Sequence, residues 1–268
     1  MEVKPTMLLI GAGRMAEAII SGLVNTSRNN IEDIFVSNRS DKQRLKLLQE
    51  KYQVVPVEDW KSTVDKANII VLAMPPEAHE LILEELSELI DNQFIVTIAA
   101  GMGPTKLERK LPSNTAVAWI MPNTAAEIGE SISLYCFGKH VEDSYLSHLK
   151  LLLNAIGESQ LCTEQQIHDL TAITGSAPAF FYLFTESLIE KAQEYGISKE
   201  VAKNLVSQMM YGSASMLKAG KQPSELREQV TTPGGATAEG LKVLDNGDFS
   251  KLISDAVVAT NHKARGNT

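Results

Sequence analysis

The chain is 268 residues long, 44% hydrophobic and 22% charged, which supports one large or two modest buried cores and excludes a disulfide-stapled miniprotein or a disordered tail. Its 25 Lys and Arg against 33 Asp and Glu give a net charge of -8 with no basic cluster, so nucleic acid is not expected as a partner. The most apolar run, 69–74, stops at Pro75, far short of the roughly 20 residues of a bilayer span, so no membrane is expected either. The opening residues lack the apolar region of a secretory signal, which makes the cytoplasm the expected compartment. Cys136 and Cys162, the only two cysteines, fall in strand-like segments and read as reduced, partly buried thiols. His79, His140, His148, His168 and His262 show no metal-ligand spacing, so no metal is expected.

In chain order, 7–10 is a short apolar strand, and 15–24 then places Met15, Ile19 and Leu23, with Ala16 and Ile20, on one helical face. A strand at 34–37 leads to a helix carrying Leu45, Leu48 and Tyr52. A strand at 69–74 precedes a helix over 77–90 with a stripe of Ala78, Leu81, Ile82, Leu86, Leu89 and Ile90. Strands follow at 94–99, 116–120 and 131–137. Near-continuous apolar strands alternating with amphipathic helices predict an α/β domain built on a doubly wound parallel sheet covered on both faces. After residue 162 the strand signal ends, and 164–172, 179–195, 198–218, 224–230, 233–244 and 249–263 read as helices. The expected domains are therefore 1–162 and an all-α 163–268, with no linker composition to mark the junction.

Two glycine turns carry chemistry. Gly11, Ala12, Gly13, Arg14, Met15 and Ala16 follow the first strand and open the first helix, which is the setting of a dinucleotide-binding GxGxxA turn. Gly11 suits the tight turn, Gly13 lets backbone approach a pyrophosphate, and the helix N-terminus offers free N–H groups. At the end of the second strand an NAD site carries a carboxylate. Ser37, Asn38, Arg39 and Ser40 stand there instead, a set suited to a 2′-phosphate, so NADPH is the expected coenzyme and NADH the second one accepted. The second turn, Thr231 to Thr237, reads as a Thr232 N-cap and Pro233 at the first helical position, with Gly234 and Gly235 leaving backbone amides uncovered. Such a turn holds a carboxylate or simply caps a helix.

These turns, together with MPNTAAEIGES at 121–131, TAITGSAPAFFYLF at 171–184 and LREQVTTPGGAT at 226–237, resemble pyrroline-5-carboxylate reductase over nearly the whole chain. The family's MPN segment stands as Met121, Pro122 and Asn123, and its Ala-Ala-Gly as Ala99, Ala100 and Gly101. The resemblance implies reduction of the imine Δ1-pyrroline-5-carboxylate to L-proline with NAD(P)H, the last step of proline biosynthesis. It also implies an N-terminal Rossmann domain joined to a helical dimerisation domain, hence a homodimer or a larger homo-oligomer of dimers. The coenzyme set it implies is Gly11 to Met15, Ser37, Asn38, Arg39, Ala73, Met74, Pro75, Ala99, Ala100, Gly101, Pro122 and Asn123. Thr232, Gly234 and Gly235 would grip the substrate carboxylate, and Thr237, the catalytic residue, would hydrogen-bond the ring nitrogen.

Three departures stand out: Pro75 replaces the family's usual lysine, Thr174 to Phe180 replaces Ser-Gly-Ser-Gly-Pro-Ala-Tyr, and Thr232 replaces a serine. Two rivals compete with this reading. A β-hydroxyacid dehydrogenase would need a lysine followed four residues later by asparagine, but Tyr195 follows Lys191 and Lys203 follows Lys199. A non-catalytic nucleotide-binding paralogue finds support only in Pro75.

Overall fold

Eight strands form one sheet in the computed structural model, which describes residues 4–264. They are β1 Met7–Ile10, β2 Ile34–Ser37, β3 Val55–Val57, β4 Ile69–Leu72, β5 Phe94–Thr97, β6 Val117–Met121, β7 Ser131–Phe137 and β8 Gly157–Leu161, in the order β3-β2-β1-β4-β5-β6-β7-β8. The first six strands are parallel and follow the doubly wound 3-2-1-4-5-6 order, with the direction of winding reversing between β1 and β4.

The helices α1 Arg14–Ser27, α2 Lys42–Tyr52, α3 His79–Ser87, α4 Pro104–Lys110, α5 Asp143–Ile156 and α6 Glu164–Thr171 flank this sheet. Alternation along the strands divides the core. Met7 and Leu9 of β1, Ile69 and Val71 of β4, and Phe94 and Val96 of β5 pack with α1, α2 and α5. Leu8, Ile10, Ile70, Leu72 and Ile95 pack on the opposite layer with α3 and α4. Close packing is tightest at Gly22 of α1, where an added Cβ would lie 1.8 Å from the Ala155 carbonyl oxygen of α5.

The sheet is not wholly parallel, which corrects the expectation from the strand pattern. β7 runs antiparallel to β6, pairing Trp119 with Cys136 and Met121 with Leu134, and β8 then runs parallel to β7. The cause is the connection over 122–130. A parallel crossover needs a dozen or more residues, and this segment holds only a short 3-10 turn, Thr124–Ile128. Two strands also escape periodicity, and both are at sheet edges. β3 has Pro56 at its centre, tolerated only where one side of the ladder is open, and β8 is the largely polar, largely exposed GESQL.

The described residues divide into two compact units, 4–175 with 261–264, and Ser176–Thr260. The expected helical half therefore begins earlier in sequence than the second unit begins in space: α6 belongs to the first unit, where Ile167 packs beside Trp119 and Leu134. Directly after α6, Ala172–Ser176 winds as a π-helix whose first four residues belong to the first unit.

The second unit is built of α7 Ala177–Glu194, α8 Lys199–Lys218, α9 Pro223–Gln229, α10 Ala236–Asn246 and most of α11 Phe249–Ala264. Its α7 buries none of its residues, and α8 buries only Ala202, Val206 and Met210, spaced by four. Phe181, Leu183, Phe184, Met209 and Met216 stay exposed. Among the described residues no helix is long and apolar enough to cross a membrane.

Candidate functional site

At the point where the winding reverses, the loops after β1, β2 and β4 open a cleft of about 900 Å³. Residues 11–14, 37–39 and 73–75 all line it, so ten of the residues singled out in the sequence meet in one place. Gly11 has φ +114°, and a Cβ there would lie 2.4 Å from the Ala73 carbonyl oxygen. No other residue type fits this approach. The Gly11 N–H donates to the Ser37 carbonyl at 3.0 Å, and the Ala73 N–H to the Ile10 carbonyl at 2.9 Å, so three loops are stitched together beneath the cleft.

Gly13 is the N-cap of α1 and supplies no side-chain cap, and a Cβ on it would meet nothing within 4 Å. The open space in front of the first-turn amides of α1 fits a pyrophosphate. Met15 differs from its neighbours: its side chain packs against the core under α1.

Charge around the cleft is largely committed. Glu17 accepts from Lys51 Nζ at 2.9 Å and from the Tyr52 hydroxyl at 3.0 Å, and it pairs with Arg44. The Lys51 hydrogen bond, followed by those from Arg44 and Tyr52, outweighs partial burial and holds the Glu17 carboxyl down at about 2. Arg44 also donates from Nε to the Ala12 carbonyl at 2.9 Å, bracing the glycine turn from behind. Asp41 and Glu58 reach the cleft as well, carboxylates that the strand-end pattern did not reveal. Asp41 accepts the Arg44 N–H at 2.8 Å as the cap of α2, and Glu58 pairs with Lys42 Nζ at 2.6 Å. Arg39 remains exposed at the cleft. Trp60 is a lining residue that sequence reasoning missed, because it follows the Pro-containing edge strand β3.

The remaining expected coenzyme residues follow β5 and β6, at the same end of the parallel strands but outside the lining of this cleft. Ala99 is buried, and Ala100 and Gly101 turn the chain toward α4. Pro122 is buried. Asn123 is occupied at both ends of its amide: Oδ1 accepts the Ala125 N–H at 3.0 Å, and Nδ2 donates to the Thr174 carbonyl at 3.1 Å.

In the helical unit Thr232 does not cap a helix, contrary to the reading of the sequence. The Gly235 N–H donates to the Thr232 carbonyl at 2.9 Å, with Gly234 at φ +70°, so Thr232, Pro233, Gly234 and Gly235 form a β-turn with proline second and glycine third. Gly235 is the N-cap and α10 starts at Ala236. Thr237 is thus the second helical residue, exposed, beside first-turn amides that no side chain caps. The residues three and four positions behind it are Gly234 and Pro233 of the turn, so no helical carbonyl lies there for its hydroxyl to bond.

Comparison with known proteins gives two family matches. Residues 164–267 match pyrroline-5-carboxylate reductase dimerisation, and residues 6–101 match NADP oxidoreductase, coenzyme F420-dependent. Pyrroline-5-carboxylate reductase 2 of Bacillus subtilis is 34% identical over 94% of this chain and 91% of its own length. Among solved structures, a pyrroline-5-carboxylate reductase from Coxiella burnetii superposes with a TM-score of 0.88 at 28% identity, covering 99% of both chains. The Plasmodium falciparum pyrroline carboxylate reductase with NADP bound superposes with a TM-score of 0.87 at 29% identity, covering 98% of both.

The depressed Glu17 sets a pH dependence of folding. A carboxylate ionised more easily in the folded than in the unfolded chain stabilises fully above about pH 4.5, and this is lost as pH falls toward about 2. With Lys51 and its ammonium open to solvent, the contribution is about 1–2 kcal/mol. Glu17→Gln is expected to lower the urea-unfolding free energy by that amount at pH 7. The gap to the parent should close progressively between pH 4.5 and the lowest measurable pH, and a gap independent of pH would contradict the assignment.

Proposed function

The chain belongs to the pyrroline-5-carboxylate reductase family, and we propose that it reduces Δ1-pyrroline-5-carboxylate to L-proline with a nicotinamide coenzyme, NADPH in preference to NADH. The observation that carries the reading is the cleft at the winding reversal, in which an uncapped helix N-terminus, an open Gly13 and an exposed Arg39 converge. Bound there, the reduced nicotinamide would supply a hydride to the imine carbon, and solvent would supply the proton that the ring nitrogen takes up in becoming an amine.

The chain's own residues hold and orient. The α1 amides and the Gly11 to Arg14 backbone take the pyrophosphate, and Arg39, with Ser37 and Asn38, takes the 2′-phosphate. Met74, Pro75 and residues 99–101, with Pro122 and Asn123, shape the nicotinamide side. In the helical unit, Thr232 and the amides around Gly234 and Gly235 bind the substrate carboxylate, and the Thr237 hydroxyl donates to the ring nitrogen. An imine carbon is already electrophilic, so positioning carries most of the rate and no strong general base is required. Free Cys136 and Cys162 support a reducing cytoplasmic setting; burial pushes the Cys136 thiol up to about 12, so it stays protonated. The basic test is spectrophotometric: coenzyme oxidation that depends on pyrroline-5-carboxylate supports the reading, and purified protein without it refutes the reading.

Coenzyme choice should rest on Arg39. Arg39→Ala is expected to lower kcat/KM with NADPH by about ten- to a hundredfold, the worth of a charge-assisted hydrogen bond, and to leave NADH nearly unchanged. Equal losses with both coenzymes would remove Arg39 from the 2′-phosphate.

Thr237→Val keeps shape and removes one hydrogen bond that strengthens as the nitrogen becomes an amine. The expected cost is about 1–3 kcal/mol of transition-state stabilisation, with coenzyme affinity preserved. Rate and KM for pyrroline-5-carboxylate both within twofold of the parent would take Thr237 out of the site.

The assembly we propose is a homodimer or a larger homo-oligomer of dimers, because the apolar residues that α7 and α8 leave exposed need a covering surface. Sedimentation at micromolar concentration should give at least the dimer mass, and a stable monomer would contradict the proposal.

A further inference from the structure

His79, the first residue of α3, and Thr97, the last of β5, are both 0% exposed. They lie on the layer otherwise packed from Leu8, Ile10, Ile70, Leu72, Leu83, Leu86 and Ile95, where an unpaired imidazole or hydroxyl would be costly. Both are paired with each other and with two loops. His79 Nδ1 lies 3.1 Å from the Pro75 carbonyl oxygen, His79 Nε2 lies 2.9 Å from Thr97 Oγ1, and the Ala99 N–H donates to Thr97 Oγ1 at 3.2 Å.

We propose that the His79–Thr97 pair is a positioning device that ties the loop after β4 to the loop after β5 and so holds the wall of the coenzyme cleft at a fixed spacing. The direction of the chain of bonds follows from elementary donor and acceptor roles. A carbonyl only accepts, so Nδ1 carries the proton and donates to Pro75. Nε2 then accepts the Thr97 hydroxyl proton, and the hydroxyl oxygen accepts the Ala99 N–H. One neutral tautomer satisfies every polar group of the pair. Burial lowers the His79 pKa and keeps that neutral form, against a weaker opposing influence from the Pro75 carbonyl and Glu77.

Packing alone does not explain the pair, since Leu83 and Leu86 on the same helix fill the same layer with aliphatic side chains. What the imidazole adds is a grip on backbone at two strand ends. Pro75 has no N–H and no polar side chain, so its carbonyl is the one handle by which it can be held; it accepts the local Ala78 N–H at 3.0 Å as well as the imidazole, which alone links it onward to β5, and Pro75 and Ala78 both line the cleft. Leu72 and Thr97 are register partners on neighbouring strands, so the two loops leave the sheet side by side.

The inference rests on the reading of this cleft as the coenzyme site, and its test separates the two. NADPH is titrated onto the full-length protein without substrate, following nicotinamide fluorescence. Thr97→Val, which keeps the shape and strips the hydroxyl, is expected to weaken NADPH binding roughly five- to thirtyfold, as for a buried bond whose partners are left unpaired. Thr97→Ser should restore binding to within twofold. In turnover, the KM for NADPH should rise while that for pyrroline-5-carboxylate stays put, a split that a partly unfolded sample would not produce. If Thr97→Val does not fold, His79→Asn measures the same link, because its amide can still donate to Pro75 but is too short to reach Thr97. A folded variant of either kind with parental NADPH affinity overturns the proposal, as does a long-range 1H–15N spectrum placing the His79 proton on Nε2. Parent protein that binds neither coenzyme overturns both this proposal and the reading of the cleft.

Discussion

Everything at the cleft depends on how closely the chain leaving β1 passes the chain leaving β4. Gly11 sits where any Cβ would collide with the Ala73 carbonyl oxygen, and its own N–H is taken by the Ser37 carbonyl. With those loops locked together, the first turn of α1 starts directly above the sheet and its unpaired amides face the opening. A side chain at position 11 would push the β1 and β4 loops apart and move the helix dipole away from the place where a phosphate can be held.

Around this contact, charge is distributed by a division of labour. Glu17 gathers Arg44, Lys51 and Tyr52 on the α1–α2 side, and Arg44 passes that anchorage to the Ala12 carbonyl. Asp41 is consumed as a helix cap and Glu58 by Lys42. Arg14 and Arg39 are the guanidinium groups left exposed at the cleft, and the cation suited to a 2′-phosphate, Arg39 in the loop after β2, is a different residue from the cation that braces the fold, Arg44 on α2.

The helical unit obeys a different constraint. Three buried residues on α8 and none on α7 are too little interior for five helices, and the apolar side chains there find no cover within the chain's own unit. The proposed assembly through this surface would supply the core that the sequence of the unit implies. The turn before α10 remains open to solvent, with its amides uncapped and Thr237 exposed beside them.

The sequence by itself determined the layered α/β architecture, the helical second half and the glycine turn, because each is a local pattern: alternating apolar strands, helical periodicity, and glycines at a strand-to-helix junction. Ten expected coenzyme residues met in one cleft for the same reason, since strand ends of a doubly wound sheet gather by topology. The reversed direction of β7, by contrast, was written only in the shortness of 122–130, and edge strands β3 and β8 lack the burial that makes a strand legible. Arg44, Glu58, Trp60 and the His79–Thr97 pair belonged to no motif. They act through partners 16 to 32 residues away, or by lining a space that exists only once the loops are packed. Tertiary structure alone decided which charges are spent on the fold, which remains for a ligand, and where α10 begins. Those outcomes depend on distances and hydrogen-bond competition between segments, whereas periodicity and motif spacing record only what neighbouring residues do to one another.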